Sequence, residues 1–305
     1  MVRDGLGLKL KRFIVVWTPP RLFLFFRGHI RNYLGWKRLS PVVKNWAFCW
    51  LANALKGFAH LSARTRGLSF QHQREKLVMV RYRSGLRLLS FPSSVGVVSH
   101  AQDCLVRPFL GAKFQSGDVA IDIGAHVGAV SLPLAFSGVT VYAYEPHPDN
   151  FQVLALNKKL NHLDNLHVFP CAVSNSSGTA RFEFGATSTL GSLSAAGFSL
   201  RKNKAKGIET IATTLSEIFA DHSLGQVKLL KIDCEGSEYA ILFEEGAQEA
   251  LRKCRFLIME VHPVKTDGWD KYRVHSYLTN LGFQIQVVEN SGNGCADFYC
   301  KRGSG

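Results

Sequence analysis

Residues 119 to 146 read VAIDIGAHVGAVSLPLAFSGVTVYAYEP. A hydrophobic run ends around Asp122, glycines follow at 124 and 128, an apolar helical pattern continues, and a second hydrophobic run closes on Glu145. Strand, glycine turn, helix, strand and acid in that order open a nucleotide site in doubly wound sheets. The dinucleotide fingerprint calls for Gly-x-Gly-x-x-Gly, whereas Ala125 and His126 stand inside a wider Gly124-x-x-x-Gly128 spacing. A carboxylate at 122 repels the pyrophosphate that a glycine turn and a helix N-terminus otherwise welcome. A cofactor carrying an ammonium and a sulfonium reverses the sign, so S-adenosylmethionine is the expected ligand. Glu145, 21 residues past Gly124, can accept both ribose hydroxyls. NAD sites share that feature, and it does not discriminate.

Two further hydrophobic runs end in reactive residue types. LLKIDCEGSE delivers Asp233, Glu235 and Glu238, and FLIMEVHP delivers Glu260 and His262. In an open parallel sheet such residues collect at the carboxyl ends of the strands. Crowded acids there raise the pKa of one carboxylate while another stays ionised. Methyl transfer from a sulfonium is an in-line displacement, which requires near-attack alignment and a base for the acceptor's proton. The base is expected to be His262 or Glu235. Asp233 is expected to face the cofactor's methionine portion or to orient the acceptor. Glu238 and Glu260 are expected to bind substrate or to support those that do, the plainer alternative for Glu238 being a solvated first-turn acid. Lys231 reads as a strand lysine reaching out to solvent. The acids and His262 are donors that suit a divalent metal. Their spacing gives no geometry, and no metal is expected.

Alternating patterns supply the elements that must position these groups. Strands are expected near 118–123, 139–145, 166–173, 227–233 and 255–262, with helices near 128–136, 149–161, 237–253 and 269–281. Two late strands near 283–289 and 295–301 have no helix between them and should pair antiparallel. The fold class is therefore α/β, an open, mostly parallel sheet with an antiparallel edge. The loop 185–207, rich in Gly, Ser, Ala and Lys, is long enough to cover a substrate. Ahead of the sheet, KLVMVRY and LRLLSF flank Arg83-Ser84-Gly85 as a hairpin, and a helix is expected around 101–114.

The basic charge is confined to the N-terminal third. Residues 1–113 carry 20 Lys and Arg against three acids, a net +17, while residues 114–305 carry 17 against 20, a net −3. A catalytic unit of slightly acidic balance does not track a nucleic-acid backbone, and no nucleic-acid partner is expected. In the basic third, Ser40 and Pro41 open a helical pattern with Val43, Trp46, Trp50, Ala54 and Phe58 on one face. That face either caps the catalytic unit or lies on an anionic membrane surface, residues 1–62 being the contact. Apolar stretches here are too interrupted to span a bilayer. Seven cysteines without a CxxC pair fit neither a disulfide framework nor a zinc site, which points to a reducing cytoplasm. Cys295 and Cys300 read as apolar filler at strand spacing.

The segments GDVAIDIGAHVGAVSLPLA, VYAYEPHPDNFQVLALNKKLN, CAVSNSSGTARF, LLKIDCEGSEYAIL and LIMEVH, in this order, resemble the FkbM-type S-adenosylmethionine-dependent O-methyltransferases from about 100 to 302. The resemblance implies a seven-stranded, Rossmann-like class I methyltransferase sheet. It implies a cofactor site from Asp122, Gly124, Ala125, His126, Gly128, Glu145, Pro146, Ala172 and Asp233, with the main chain at Cys171-Ala172-Val173 passing the adenine. Asn150 is explained by capping, and Asn157 and Asn161 are taken as structural. His126 stands where the family usually has Asn, and its charge is expected to vary near neutral pH. The implied acceptor is a hydroxyl of a sugar, a lipid-linked sugar or a secondary metabolite. Domain limits follow as 1–67, a basic helical extension; 68–113, short strands and a lead-in helix; and 114–302, the methyltransferase unit. Competing readings are a non-catalytic membrane-docking module of the same shape, a base methyltransferase and an NAD-dependent dehydrogenase. The base methyltransferase is disfavoured by Asp233-Cys234-Glu235 at its strand end, where a Pro-Pro-Tyr-like end would hold a flipped base. The dehydrogenase is disfavoured by Asp122.

Overall fold

In the computed structural model the chain divides into two compact units, Met1–Gly96 and Val97–Gly305. The structure describes residues 77–82, 84–91, 94, 105, 110–184, 191–193, 206–264, 268–289 and 294–303. The helix expected from Ser40, the aromatic stretch before it and most of the 185–207 loop lie outside the described residues. Most of the helix expected at 101–114 does too, and residues 110–114 are not helical.

The described part of the first unit is a hairpin of β1 (Val78–Arg81) and β2 (Arg87–Ser90), antiparallel with Val78 opposite Ser90. Gly85 takes a φ of 93° in the turn and donates its N–H to the Tyr82 carbonyl at 3.0 Å. Leu88 and Phe91 are fully buried.

The main described elements of the second unit start with β3 (Val119–Ile123), α1 (Ser131–Phe136), β4 (Thr140–Tyr144), α2 (Pro148–Leu160) and β5 (Leu166–Phe169). A subsidiary sheet follows, from β6 (Cys171–Ser174), β7 (Gly178–Phe184), β8 (Gly191–Leu193) and β9 (Lys206–Thr214). The chain then returns through α3 (Leu215–Asp221), β10 (Val227–Ile232), α4 (Glu238–Leu242), α5 (Ala247–Arg252), β11 (Cys254–Val261), α6 (Lys271–Asn280), β12 (Phe283–Glu289) and β13 (Ala296–Arg302). The main sheet has seven strands in the order β12-β13-β11-β10-β3-β4-β5. β10 pairs parallel with β3 and with β11, and β3–β4–β5 continue parallel. β13 is antiparallel to both neighbours, so the reversed strand sits one place inside the edge rather than on it. The edge strand, β12, alternates Phe283, Ile285 and Val287 with Gln284 and Gln286, the period of a strand covered on one face.

Burial on both faces explains the near-continuous apolar runs of β3, β10 and β11. The chain builds β4 and β5 on one side of β3, then crosses to build β10 and β11 on the other. Strand order therefore reverses between β3 and β10, and a crevice opens beyond their carboxyl ends.

Two expected elements are corrected, and one sheet is added. The strand at 166–173 is two strands, β5 in the main sheet and β6 parallel to β9 in the subsidiary one. The helix at 237–253 is two helices, α4 and α5, parted where Gly246 takes a φ of 99°. The subsidiary sheet was not expected, although Ala180 and Phe182 alternate along β7 and pack on Ala172, Ala212 and Ile208.

Candidate active site

Register explains how the first group of charged residues forms. In the β10–β3 pairing Lys231 lies directly beside Asp122. Asp233, two residues further on, projects to the same face as Lys231. The Lys231 ammonium is 3.4 Å from Asp122 Oδ1 and 3.4 Å from Asp233 Oδ2, and donates to the Gly124 carbonyl at 2.8 Å. Ser131 Oγ donates to Asp122 Oδ2 at 2.5 Å. Burial works against the lysine charge, but the Asp233 and Asp122 carboxylates outweigh it and hold the pKa above the usual lysine value. Lys231 therefore does not reach out to solvent as expected. It is 8% exposed and clamps the ends of two strands to the glycine turn. Asp122, expected to face the cofactor's cationic end, is buried against Lys231 and Ser131. Asp233, with its side chain about a third exposed, is the acid of the pair that reaches the crevice.

The glycine turn is shaped by this packing. A Cβ on Gly124 would stand 1.9 Å from the Asp233 carbonyl oxygen, so the chain just past β10 fills the side-chain space at this position. A Cβ on Gly128 would meet Leu132 and Leu154, which makes Gly128 a packing glycine. The Gly124 and Ala125 amides both donate to the Tyr144 carbonyl at 3.0 Å, and Asn157 ties α2 to the turn through the Val127 carbonyl at 2.9 Å.

Glu145 follows β4 at the same rim. Its Oε2 accepts the His126 N–H at 2.7 Å, and its Oε1 accepts the His147 N–H at 2.9 Å and Asn150 Nδ2 at 3.3 Å. Asn150 thus holds Glu145, while His147 caps α2 by accepting the Asp149 N–H. Asn161 donates to the Asn157 carbonyl at 2.8 Å, a contact within the end of α2. Burial raises the Glu145 pKa to about 7, the three hydrogen bonds opposing it. His126, in a left-handed conformation with φ 54°, has its pKa lowered to about 3 by burial and by Lys231. It is a neutral imidazole, not the group titrating near neutrality that was expected. Pro146 is part-exposed behind Glu145. Ala172 is not at the end of a main-sheet strand: it lies in β6 beside Ala212, packed on Phe182.

The third group stands at the ends of β10 and β11. Glu238 is fully buried, and its carboxylate accepts the Cys234 N–H at 2.9 Å and the Gly236 N–H at 2.9 and 3.2 Å. His262 Nδ1 meets Glu238 Oε1 at 3.0 Å, and the Tyr239 hydroxyl donates to the His262 carbonyl at 3.2 Å. Glu238 is accordingly neither a solvated acid nor open to a substrate. It fixes the orientation of His262. Glu235 Oε2 lies 3.8 Å from His262 Nε2, with the Glu235 side chain 31% exposed. Glu235 has a φ of 54° in a region that L residues with a Cβ seldom occupy. Burial, opposed by His262 and aided by Asp233, Glu238 and Glu260, raises its pKa to about 7. Burial works against charge on His262 as well. The Glu238 carboxylate and hydrogen bonds with Cys295 and Glu238 outweigh it, and the His262 pKa lies well above the usual histidine range. Glu260 is part-buried on β11, two residues before His262.

The strand order is that of the Rossmann-like sheet of class I methyltransferases. The sequence profile of the methyltransferase FkbM domain matches residues 122–285. The 31-O-demethyl-FK506 methyltransferase FkbM of Streptomyces tacrolimicus is 31% identical, over 50% of this chain and 69% of its own. The hexuronic acid methyltransferase AglP of Haloferax volcanii is 27% identical, over 57% of this chain and 67% of its own. Among solved structures, the magnesium protoporphyrin IX methyltransferase ChlM of Synechocystis PCC 6803 is 14% identical, with a TM-score of 0.39 over 70% of this chain and 83% of that one. The chain belongs to the FkbM methyltransferase family.

Sequence reasoning misread Lys231 and missed Ser131. Lysine in the otherwise apolar run LLKI of a strand buried on both faces was the available signal, since a central strand offers its side chains no route to water.

Proposed function

We propose that this chain transfers a methyl group from S-adenosylmethionine to a hydroxyl oxygen of a sugar, glycolipid or secondary-metabolite acceptor. The observation that carries the reading is Glu235: a part-exposed carboxylate in a left-handed conformation, 3.8 Å from a buried histidine. Backbone strain of roughly 1–3 kcal/mol persists where the surroundings impose it, and it concentrates at functional sites. Two relatives named as methyltransferases, one of 31-O-demethyl-FK506 and one of hexuronic acid, support the acceptor class.

The residues present fit the cofactor. Glu145 offers a carboxylate for ribose hydroxyls, neutral His126 adds no positive charge beside a sulfonium, and Asp233 offers negative charge on the crevice side. When bound, S-adenosylmethionine supplies a methyl group already activated on sulfur. Lys231 holds the ends of β3 and β10 in register, so that the turn and Asp233 keep a fixed spacing. Glu238 holds His262, and the charge on His262 holds Glu235 toward the crevice. Glu235 then accepts the acceptor's hydroxyl proton as the new O–C bond forms, the role of a positioned general base. His262 is the positioning partner and Glu260 the acceptor-side acid. The basic N-terminal third supports a cytoplasmic enzyme held loosely at an anionic membrane surface, acting on phosphate-bearing, lipid-linked acceptors. Among the described residues no helix is long and apolar enough to cross a membrane.

The test is incubation with methyl-labelled S-adenosylmethionine and a panel of hexuronic acids, lipid-linked sugars and polyketide alcohols. Alkali-stable label in the acceptor, an ether rather than an ester, supports the reading. Label confined to carboxyl esters or to nucleic acid overturns it.

A further inference from the structure

Beside the proposed base, three side chains of different donor chemistry converge. β11 and β13 are antiparallel, with Glu260 opposite Asp297 and Val261 opposite Ala296. One step further in that register sets His262 against Cys295, and the two-residue period puts Glu260 on the same face as His262. A carboxylate oxygen of Glu260, a ring nitrogen of His262 and the Cys295 sulfur all lie within 4.8 Å of one another.

We propose that Glu260, His262 and Cys295 form a binding site for a borderline-soft divalent cation, zinc(II) being the ion whose chemistry fits. A thiolate, an imidazole and a carboxylate are a mixed sulfur, nitrogen and oxygen set, which zinc takes readily. Magnesium and calcium take oxygen ligands and have no use for the sulfur.

Geometry behind the three ligands supports the site. His262 Nδ1 is bonded to Glu238 at 3.0 Å, which leaves Nε2 for a metal. A carboxylate behind a ligating histidine fixes ring orientation and raises ligand basicity. Glu238 is itself pinned by the Cys234 and Gly236 amides and is fully buried, so the ring is held before any ion arrives. Cys295 is 3% exposed and Glu260 is part-exposed, which gives an ion entry on the carboxylate side. Three protein ligands leave a coordination position for water or an acceptor oxygen, as open zinc sites do. Metal on Nε2 stands where a proton otherwise sits, and Glu235 faces a positive charge in either state. Isolated motifs in sequence could not show this set, because Cys295 is far from the other two along the chain and carries no CxxC partner.

Zinc binding is read without reference to methyl transfer, so its failure leaves the proposed activity standing, and the converse holds. The full-length, tag-free chain is stripped with chelator and titrated with zinc(II) by calorimetry, then with cobalt(II) followed by absorption. One equivalent of zinc per chain and a thiolate-to-cobalt charge-transfer band are expected. Cys295→Ser should abolish the band, and Glu260→Gln should weaken zinc binding at least tenfold. Glu238→Gln should weaken it by about 10–100-fold through loss of the orienting carboxylate. Should Cys295→Ser fail to fold, as judged by circular dichroism, the part-exposed Glu260→Gln decides. Absence of stoichiometric zinc, absence of the band in the unaltered chain, or zinc affinity unchanged in Glu260→Gln each overturns the site.

Discussion

Lys231 and Asp122, neighbours in register on adjacent parallel strands, meet as a buried ion pair at 3.4 Å. Removing one member of such a pair leaves an uncompensated charge, at a cost of about 3–5 kcal/mol. Lys231→Met, which strands Asp122 at 1% exposure, should lower unfolding free energy by about that amount in urea titrations. Asp122→Asn should cost less, because Asp233 still faces the lysine. A Lys231→Met variant as stable as the unaltered chain would show that the clamp is not a structural element.

Gly124 is required by the approach of β10. Its φ of 75° and the 1.9 Å contact that a Cβ would make with the Asp233 carbonyl leave no room for alanine. Gly124→Ala should destabilise by more than about 2 kcal/mol and weaken cofactor binding together with it. Gly85→Ala in the hairpin, with nothing within 4 Å, isolates the conformational penalty alone and should cost less. Thermal melts of the two variants side by side make the comparison.

Burial raises the Glu145 pKa to about 7 from an ordinary value near 4.5. The raised value means that its stability contribution is fully present below about 4.5 and is lost as pH rises through about 7. In the proposed site cofactor binding runs the other way, because ribose hydroxyls would donate to the ionised carboxylate. Affinity for S-adenosylhomocysteine should therefore rise with pH, by up to roughly tenfold for each pH unit well below the pKa, and level off above it. Glu145→Gln should be weak and flat across that range. Parallel pH profiles in both chains would sink the assignment.

Glu235 carries opposite consequences for stability and turnover. Glu235→Gly relieves the left-handed conformation and should stabilise the fold by about 1 kcal/mol while abolishing the proposed base function. Glu235→Gln keeps the shape and should lower kcat by about 10²–10⁴ with cofactor affinity unchanged. Equal loss of kcat and of cofactor affinity in Glu235→Gln would point to a cofactor role instead.

The main sheet was legible in the sequence because buried parallel strands leave continuous apolar runs, and the acids that end them mark the rim. The subsidiary sheet was not, since β7 and β9 mix Thr, Glu and Lys with short alternation, and turn-forming residues between them mask the pairing. Asp122, Glu145, Asp233, Glu235 and His262 were singled out from strand ends alone. Their partners were hidden, because contacts such as Lys231 with Asp122 and His262 with Glu238 depend on register and on which strands become neighbours. For the same reason the packing at Gly124 and Gly128 was hidden, because their missing side-chain space is filled by Asp233 just past β10, by α1 and by α2.

Calorimetry of the purified chain with S-adenosylhomocysteine, and with NAD as control, addresses the cofactor directly. Saturable binding of S-adenosylhomocysteine alone, weakened in Glu145→Gln, is the expected result. Binding of NAD alone, or S-adenosylhomocysteine affinity indifferent to Glu145→Gln, would contradict the placement of the cofactor at the ends of β3 and β4.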